Sequence, residues 1–248
     1  MAARRRLDAE LIRRELTTSR TEAQTLIAEC RVLVNGSVAD KSSRQVSPGD
    51  AIVITGPPPR FVGRGAEKLD HALVEFDLDV TGMRALDAGA STGGFTDCLL
   101  QRGAREVVAL DVGHGQLHER LRADGRVTNI ERTNVRTITP AMIGGAVDLV
   151  VGDLSFISLT LVIPALVGVC EPGAAMVLLV KPQFEAGRHE AGKGRGVITD
   201  PAIHERVTAE IAGALRAAGC SVLGWTQSPI TGADGNREFL VHALAPDA

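Results

Sequence analysis

"LDAGASTGGFTDCLL", residues 86–100, joins an apolar strand to a helix through a turn that starts with an acid and contains three glycines. The turn lacks the G-x-G-x-x-G spacing that brings the backbone of dinucleotide-binding folds against a pyrophosphate, because Ser91 stands at the second glycine position. Asp87, at the end of the strand, would repel a diphosphate and attract a cation. The stretch therefore predicts the first strand–turn–helix unit of an α/β domain whose ligand carries no phosphate.

Apolar segments alternate with helical patterns through the rest of the chain. Near-continuous apolar strands between helices predict a parallel sheet that is covered on both faces. The last two segments are joined only by the turn-rich "TGADGN" (231–236), so we expect an antiparallel hairpin at the sheet edge. The prediction is an α/β, doubly wound, seven-stranded sheet with an antiparallel last strand, which resembles the class I methyltransferase fold. Strands are expected within 84–90, 106–113, 127–132, 147–156, 174–184, 221–230 and 237–244.

S-adenosylmethionine suits this turn, because it carries a sulfonium cation and an amino group but no phosphate. Asp111 ends the next strand, where an acid accepts the ribose hydroxyls of a nucleoside in this architecture. Asn134, after the third strand, is a candidate for the adenine edge, and a plain loop role is equally open. The predicted cofactor-binding residues are Asp87, Gly89, Ala90, Ser91, Gly93, Gly94, Phe95, Asp111, Val112, Asn134 and Asp153.

The loop after the fourth strand, "GDLSF" (152–156), bears on the methyl acceptor. It lacks the Pro-Pro of enzymes that methylate base amino groups, and it holds no cysteine nucleophile for cytosine C5. The four cysteines, at 30, 98, 170 and 220, form no CxxC pair and have no histidine at ligand spacing. We therefore expect buried free thiols, with no metal site and no disulfide.

A ribose hydroxyl poses a different problem, because it must lose its proton as it attacks the methyl group. Lys181 and Asp153 end strands, Glu238 begins the reversed strand, and Lys68 lies on the helix before the first strand, so all four are expected at one edge. We expect Lys181 to activate the hydroxyl, Asp153 and Glu238 to hold Lys181, and Lys68 to shape the local electrostatics. A lysine serves as base when its surroundings depress its pKa, and no metal is required.

The N-terminal part differs in charge from the rest. Residues 1–60 carry ten Lys and Arg against seven Asp and Glu, a net +3, whereas the remainder carries −6. Three consecutive prolines (57–59) followed by Gly63 and Gly65 are typical of a linker. We predict a small α+β domain over 1–56, a linker over 57–64 and the larger domain over 65–248. The small domain is expected to contain a helix with Leu7, Leu11, Ile12 and Leu16, a capping box at 19–22, and an Asn35-Gly36 turn.

The stretch "RLDAELIRRELTTSRTEAQTLIAECRVLVNGSVADKSSRQVSPGDAIVI" (6–54) resembles the S4 RNA-binding domain. The resemblance implies that its helical face touches structured RNA through Arg4, Arg5, Arg6, Arg13, Arg14 and Arg20. Aromatic residues make up 3% of the chain, so RNA contacts are expected to depend on charge and shape. The glycine-rich "EAGRHEAGKGRGVITD" (185–200) is either an RNA-gripping lid or a disordered connector. Further RNA contacts are expected from Arg64, Arg188, Lys193 and Arg195.

Five stretches carry a second resemblance: "GRGAEKL" (63–69), "DAGASTGGFT" (87–96), "VVGDLSFISL" (150–159), "LVKPQFEAG" (179–187) and "GNREFL" (235–240). They are similar to the FtsJ-type ribose 2′-O-methyltransferases, in which Lys68, Asp153, Lys181 and Glu238 match the catalytic tetrad. With the S4-like module in front, the chain resembles the TlyA family. That resemblance implies methylation of cytidine ribose in 16S and, in some members, 23S ribosomal RNA. It also implies ribosomes sensitive to capreomycin-type antibiotics.

Three alternatives remain at this point. The chain could be an RNA-binding cofactor sensor with an inactive methyltransferase fold, a base-directed RNA methyltransferase, or a lytic protein, since relatives are often labelled hemolysins. No segment is apolar and long enough to span a bilayer, which disfavours lysis and membrane insertion. We expect a cytoplasmic protein that acts on 30S and in some cases 50S subunits. The residues leave open the target nucleotide, the subunit, the oligomeric state and the division of roles among the four charged residues.

Overall fold

A computed structural model of the chain describes residues 4–17, 20–57, 60–187, 190, 196–232 and 235–247. The chain divides into two compact units, Met1–Arg60 and Phe61–Ala248. Residues 61 and 62 belong to the second unit, since Phe61 is buried in its core and the Val62 amide donates to Asp97 Oδ2 at 2.9 Å. The second unit thus includes part of the stretch that the sequence suggested as a linker.

The first unit is a small α+β fold. Its elements are β1 (Arg5–Arg6), α1 (Leu7–Arg13), α2 (Arg20–Ala28), β2 (Val32–Val34), β3 (Ser37–Val38), β4 (Gln45–Val46) and β5 (Ile52–Ile54). An antiparallel sheet of order β3-β2-β5 and a separate β1–β4 pair accompany the two helices. The helices bury Leu7, Leu11, Ala23, Leu26 and Ile27 against the sheet residues Val32 and Val34.

Two local predictions for this unit have different outcomes. Asn35 and Gly36 have φ angles of 52° and 78°, and Val34 pairs with Ser37, so they form the predicted two-residue hairpin turn. The first helix contains Leu7, Leu11 and Ile12 as predicted, although Ile12 is 37% exposed, and the prediction that Leu16 belongs to it is wrong. The helix ends at Arg13, which places Leu16 beyond it. Ser19 of the predicted capping box lies outside the described residues.

The second unit contains the seven-stranded sheet. Its strands are β6 (Arg84–Ala88), β7 (Glu106–Leu110), β8 (Val127–Ile130), β9 (Val147–Gly152), β10 (Cys170–Val180), β11 (Ser221–Gln227) and β12 (Phe239–Leu244). The helices are α3 (Gly65–Glu75), α4 (Gly94–Gln101), α5 (Glu119–Arg122), α6 (Ile163–Val167), α7 (Pro182–Glu185) and α8 (Pro201–Ala217). The strand order is β11-β12-β10-β9-β6-β7-β8, which confirms the predicted doubly wound α/β sheet.

The reversed strand β12 lies one place in from the sheet edge. It pairs antiparallel with both β10 and β11, while β6 to β10 pair parallel with one another. The amino end of β12 therefore lies at the same edge as the carboxyl ends of the parallel strands. Candidate ligand-binding residues at strand ends consequently gather at this one edge.

Successive residues of each central strand face opposite sides of the sheet and belong to two separate hydrophobic cores, one on each side. Ala85 of β6 packs with α3 and α4 on one face, whereas Leu86 packs with α6 and α8 on the other. This is why the strands read as continuous apolar runs. Of the four cysteines, all free, Cys98 and Cys220 are buried and Cys170 is partly buried. Cys30 is exposed, contrary to expectation, because it lies in a left-handed turn just after α2.

Candidate active site

Asp87 is the last residue but one of β6 and is completely buried. Its Oδ2 accepts hydrogen bonds from the Thr96 amide at 2.9 Å and the Thr96 hydroxyl at 2.7 Å. Its Oδ1 is buried and has no hydrogen-bond partner within the described part of the chain. Burial, reinforced by the charge of Asp153, raises the pKa of Asp87 to about 7. A cationic or N–H donor placed at Oδ1 would compensate this buried acid.

The glycine turn after Asp87 closes against the loop that follows β9. Gly89 has a φ of +88°, and a Cβ at this position would lie 2.8 Å from the carbonyl oxygen of Asp153. Gly93, with a φ of +95°, precedes α4, and a Cβ there would overlap the side chains of Leu117 and Leu121. Only glycine fits these two positions, and the close approach brings Asp153 beside the turn.

Asp111 follows β7 next to the same turn. Its Oδ2 accepts from the Ser91 amide at 2.8 Å and its Oδ1 from the Gly113 amide at 2.7 Å. An ionised carboxylate accepts about four hydrogen bonds, so capacity for two ribose hydroxyls remains. Val112 is 73% exposed beside it, whereas Ala90 is buried. The hydrogen-bond acceptors of Asp87 and Asp111 therefore fit a nucleoside with a cationic tail, which is the chemistry of S-adenosylmethionine.

Three other predicted cofactor residues make structural contacts. The Asn134 side chain accepts a hydrogen bond from the Arg136 amide at 3.0 Å and caps the short 3₁₀ turn Val135–Thr137. The Phe95 side chain is 3% exposed and belongs to the core on the α3–α4 face, which leaves only its main chain for a ligand. Gly94, at the start of α4, packs closely against the main chain of Ala66.

The four charged residues form two ion pairs at the edge of the sheet, one of them buried and the other, which contains Asp153, partly buried. Lys68 Nζ lies 2.6 Å from Glu238 Oε2, and Lys181 Nζ lies 2.5 Å from Asp153 Oδ1. Lys68 and Lys181 are each 8% exposed and Glu238 is 2% exposed. Lys181 also donates to Ser155 Oγ at 2.9 Å. Lys68 is therefore not the solvated helix lysine that its isolated sequence context would suggest.

Further residues lie beside each pair. Gly65 begins the helix that carries Lys68, and a Cβ on Gly65 would lie 3.6 Å from Asp153 Oδ2. Gln183 donates to Glu238 Oε1 at 3.4 Å. The expectation that Glu238 holds Lys181 is wrong, because its two oxygens face Lys68 and Gln183 instead. Asp153 does contact Lys181, as expected.

The loop after Asp153 presents an aromatic ring that the sequence reasoning did not single out. Phe156 is 90% exposed, has a left-handed φ of 64°, and its ring centroid lies 5.1 Å from that of Phe184. The loop is held before Phe156 by the Lys181–Ser155 bond and after it by Glu185. Glu185 accepts from the Ser158 hydroxyl at 2.5 Å and the Leu159 amide at 2.9 Å. One feature of the sequence could have identified Phe156: it is an aromatic residue between Ser155 and Ser158, in a chain that contains few aromatic residues.

The predicted RNA-binding residues are distributed over both units. Arg4 and Arg6 of the first unit and Arg64 at the start of α3 are exposed, as is Arg20. Arg14 was expected to meet phosphates, but it donates to the carbonyl oxygens of Asp50, Ser47 and Pro48 at 2.7–3.1 Å and ties α1 to the β4–β5 loop. Arg188, Lys193 and Arg195 lie outside the described residues.

Within the described ranges, no helix combines the length and the apolar character needed to cross a bilayer. Residues 61–244 match the family of FtsJ-like methyltransferases, and residues 5–52 match the S4 domain. The chain is 50% identical to the 16S/23S rRNA (cytidine-2′-O)-methyltransferase TlyA of Mycobacterium tuberculosis H37Rv, over 97% of this chain and 90% of the relative.

Two further relatives carry a different name. Hemolysin A of Brachyspira hyodysenteriae is 40% identical over 96% of this chain and 99% of its own. A solved structure described as a hemolysin from Streptococcus thermophilus is 39% identical, covers 100% of this chain and 90% of its own, and superposes with a TM-score of 0.79. The sequence match, the strand order and the paired charges agree: the chain belongs to the FtsJ-like methyltransferase family and, within it, to the TlyA group.

Proposed function

We propose that this protein transfers a methyl group from S-adenosylmethionine to the ribose 2′-hydroxyl of cytidine in ribosomal RNA. The observation that carries the proposal is the pair of lysine–carboxylate contacts, Lys68–Glu238 and Lys181–Asp153, in which both lysines are buried beside the glycine turn. A cofactor sensor has no need for two buried ammonium groups next to its ligand, because burying charge costs free energy. The name of the M. tuberculosis relative supports the same reaction.

The cofactor would be held at the carboxyl ends of β6 and β7. Asp87 would receive a cationic group of the methionyl part at its unpartnered Oδ1, and Asp111 would accept the ribose hydroxyls. The turn from Gly89 to Gly94 would close on the methionyl chain through its backbone. The bound cofactor supplies an electrophilic methyl group, and all other steps fall to the side chains of the protein.

Lys181 is the residue that we assign to the acceptor hydroxyl. The hydroxyl proton must leave as the oxygen attacks, and Lys181 can accept it only as a neutral amine. The ion pair with Asp153 must therefore first lose one proton to solvent, and it forms again when the lysine takes up the hydroxyl proton. Ser155 fixes the direction of the lysine amine through its 2.9 Å hydrogen bond. The Lys68–Glu238 pair, whose carboxylate also accepts a hydrogen bond from Gln183, would add fixed charge to the site.

Phe156 supports a nucleic acid as the acceptor. Its ring is 90% exposed on a backbone with a positive φ, a strained conformation that clusters at ligand-binding sites. Its position three residues after Asp153 places it next to the reactive pair, where an unstacked base can lie on its face. The ribose of the same nucleotide then reaches Lys181.

One experiment tests the proposal and its rivals together. Purified protein is incubated with labelled S-adenosylmethionine and with unmodified 30S or 50S subunits, and the RNA is then digested and analysed by mass spectrometry. We expect the label on cytidine ribose. A sensor would bind cofactor and transfer nothing, a base methyltransferase would label the ring, and either result would contradict the proposal.

The comparison of 30S and 50S particles also addresses the subunit. We propose that both are substrates, following the 16S/23S name of the M. tuberculosis relative, and that the protein works in the cytoplasm, where the subunits are. The resulting ribosomes should be sensitive to capreomycin-type drugs. Mapping the modified position on each isolated particle identifies the nucleotide.

A further inference from the structure

The basic face of the first unit is built around two buried acids. Asp8 and Glu10 of α1 are 0% and 2% exposed, although they lie next to a run of arginines. Acids are rarely this deeply buried unless they are paired. Glu10 is bonded to Arg13 and Arg14, and Arg14 in turn bonds main-chain carbonyls, so this second acid helps to hold the fold.

Asp8 makes a different set of contacts. Arg6 donates to it through Nε at 3.0 Å and Nη2 at 2.9 Å, and Arg20 donates through Nε at 3.1 Å. Gln24 adds a fourth bond at 3.3 Å. These bonds, those of Arg6 first, hold the pKa of Asp8 far below its usual range. The carboxylate therefore joins two arginines that are fourteen positions apart in the chain.

The two guanidinium groups remain available to a ligand. The side chains of Arg6 and Arg20 are 43% and 59% exposed, whereas the Asp8 side chain is 0% exposed. Among contacts within the described residues, Asp8 uses Nε and Nη2 of Arg6 but only Nε of Arg20. The terminal nitrogens of Arg20 and one of Arg6 are left for phosphate oxygens, which bind guanidinium groups in the same forked manner as carboxylates.

We propose that Asp8 is a positioning residue for RNA recognition, which orients Arg6 and Arg20 as a fixed pair for the phosphate backbone. The inference rests on the proposed function, because it assumes that ribosomal RNA is the substrate. A free arginine loses side-chain entropy when it binds a phosphate, whereas an arginine held by a buried acid has lost that entropy on folding. The acid thus strengthens binding to an anion although it carries the same charge as that anion.

Whether Asp8→Asn strengthens or weakens RNA binding distinguishes a positioning role of Asp8 from a purely electrostatic one. Asp8→Asn removes one negative charge from the basic face, so charge alone predicts tighter RNA binding with a steeper salt dependence. Positioning predicts weaker binding, roughly tenfold, because two arginines become free to move. Asp40→Asn makes the same change of charge at an exposed position of the same unit and is the matched control. The control should bind RNA as tightly as the unaltered protein or slightly more tightly.

The measurement uses the full chain and isolated ribosomal subunits. For Asp8→Asn we expect a raised KM for the subunit, an unchanged kcat at saturation and an unchanged cofactor Kd. Asp8→Asn is also placed in an Arg6→Ala/Arg20→Ala background, where it should cause no further loss of affinity if it acts through these arginines. An equal loss in both backgrounds would show a purely structural role and would overturn the inference.

A second variant covers the case in which Asp8→Asn does not fold, as judged by circular dichroism. Arg6→Lys/Arg20→Lys keeps both charges but removes the forked groups that Asp8 orients, and it should also bind RNA roughly tenfold more weakly. Affinity equal to that of the unaltered protein would overturn the inference. If the unaltered protein methylates no ribosomal RNA, the proposed function fails instead, so the two failures are distinct.

Discussion

Lys68 Nζ and Glu238 Oε2 lie 2.6 Å apart, although 170 positions separate the two residues in the chain. One belongs to the helix before the first strand of the large sheet and the other to the loop before its reversed strand. The contact also means that the four charges form two neutral pairs, and each pair can be tested separately.

Lys181→Ala should abolish methyl transfer while cofactor binding persists. The lysine contacts Asp153 and Ser155 rather than the glycine turn, so its loss removes the proton acceptor, with an expected fall in kcat of about 10²–10⁴-fold. Calorimetric titration measures the cofactor Kd, and single-turnover labelling measures the rate. Lys181→Arg retains the positive charge but gives up no proton near neutral pH, so it should be equally inactive. An active arginine variant would contradict the role of Lys181 as base.

Glu238→Gln should lower both stability and activity. It leaves Lys68, whose side chain is 10% exposed, without its counter-charge, and removal of one partner of a buried pair costs about 3–5 kcal/mol. Urea unfolding measures the loss. The double variant Lys68→Met/Glu238→Leu should recover most of the stability and none of the activity, because apolar residues replace the pair without its charge. Recovery of transfer in the double variant would show that the pair is only structural.

Asp87→Asn should stabilise the cofactor-free protein at neutral pH. Burial raises the pKa of this acid from 3.8 to about 7, so the folded state holds the proton more tightly than the unfolded chain. The free energy of unfolding therefore falls as pH rises from about 4 to 7, by up to about 4 kcal/mol, and is unaffected by this group below that window. The asparagine removes this cost, and its oxygen retains the Thr96 bonds.

The same variant should lose cofactor affinity, since the amide lacks the charge that a cationic ligand needs. For the unaltered protein, cofactor affinity should rise with pH through about 7 as Asp87 ionises. Thermal melting and cofactor titration across pH 5–9 check both trends. A variant that melts lower at pH 7.5, or that binds cofactor as well as the unaltered protein, would contradict this account of Asp87.

Phe156→Ala should weaken the RNA substrate alone. The ring is 90% exposed, so its removal costs the fold little, whereas loss of base stacking is worth about 1–3 kcal/mol. We expect a rise in KM for the ribosomal subunit of roughly 5- to 150-fold and an unchanged cofactor Kd. Leu161→Ala is the control, since Leu161 is a 56% exposed apolar residue a few positions further along. Equal effects of the two variants would exclude a specific stacking role.

Arg6→Ala and Arg14→Ala should differ in kind. Arg6 has a side chain that is 43% exposed, and its loss should weaken RNA binding and lower the salt slope by about 1. Arg14 holds three carbonyl oxygens and a buried acid, so its loss should reduce thermal stability of the first unit. Salt-dependent binding and melting curves distinguish them. Arg20→Ala should behave like Arg6→Ala.

The sequence predicted which residues gather at the site, but it did not predict which lysine pairs with which acid. Strand ends follow from runs of apolar residues, and parallel strands share an edge, so the gathering of Asp87, Asp111, Asp153 and Lys181 there follows from short-range pattern. Which acid meets which lysine depends on the approach of α3 to the reversed strand, and this is set by packing between distant segments. The sequence reasoning therefore assigned Glu238 to Lys181 instead of Lys68.

A second limit on prediction from the sequence is that polar side chains often form hydrogen bonds with main-chain groups of the fold. Asn134 caps a 3₁₀ turn and Arg14 binds carbonyl oxygens of a loop, yet in the sequence both resemble ligand-binding residues. Phe156 shows the converse, since a low aromatic content argued against stacking, and composition does not report where one ring lies. The contacts of a single side chain depend on distances in the folded structure, and the pattern of residues along the chain does not give those distances.

The position of β12 between β10 and β11 has a consequence for biosynthesis. It is translated after both of its neighbours, so residues 239–244 must insert between β10 and β11, which do not pair with each other in the final sheet. Glu238 reaches the site only when this last strand inserts, so Lys68, which is translated far earlier, has no counter-charge from Glu238 until then. A nascent polypeptide halted before this point would have the glycine turn and three of the four charges, but no assembled reaction centre.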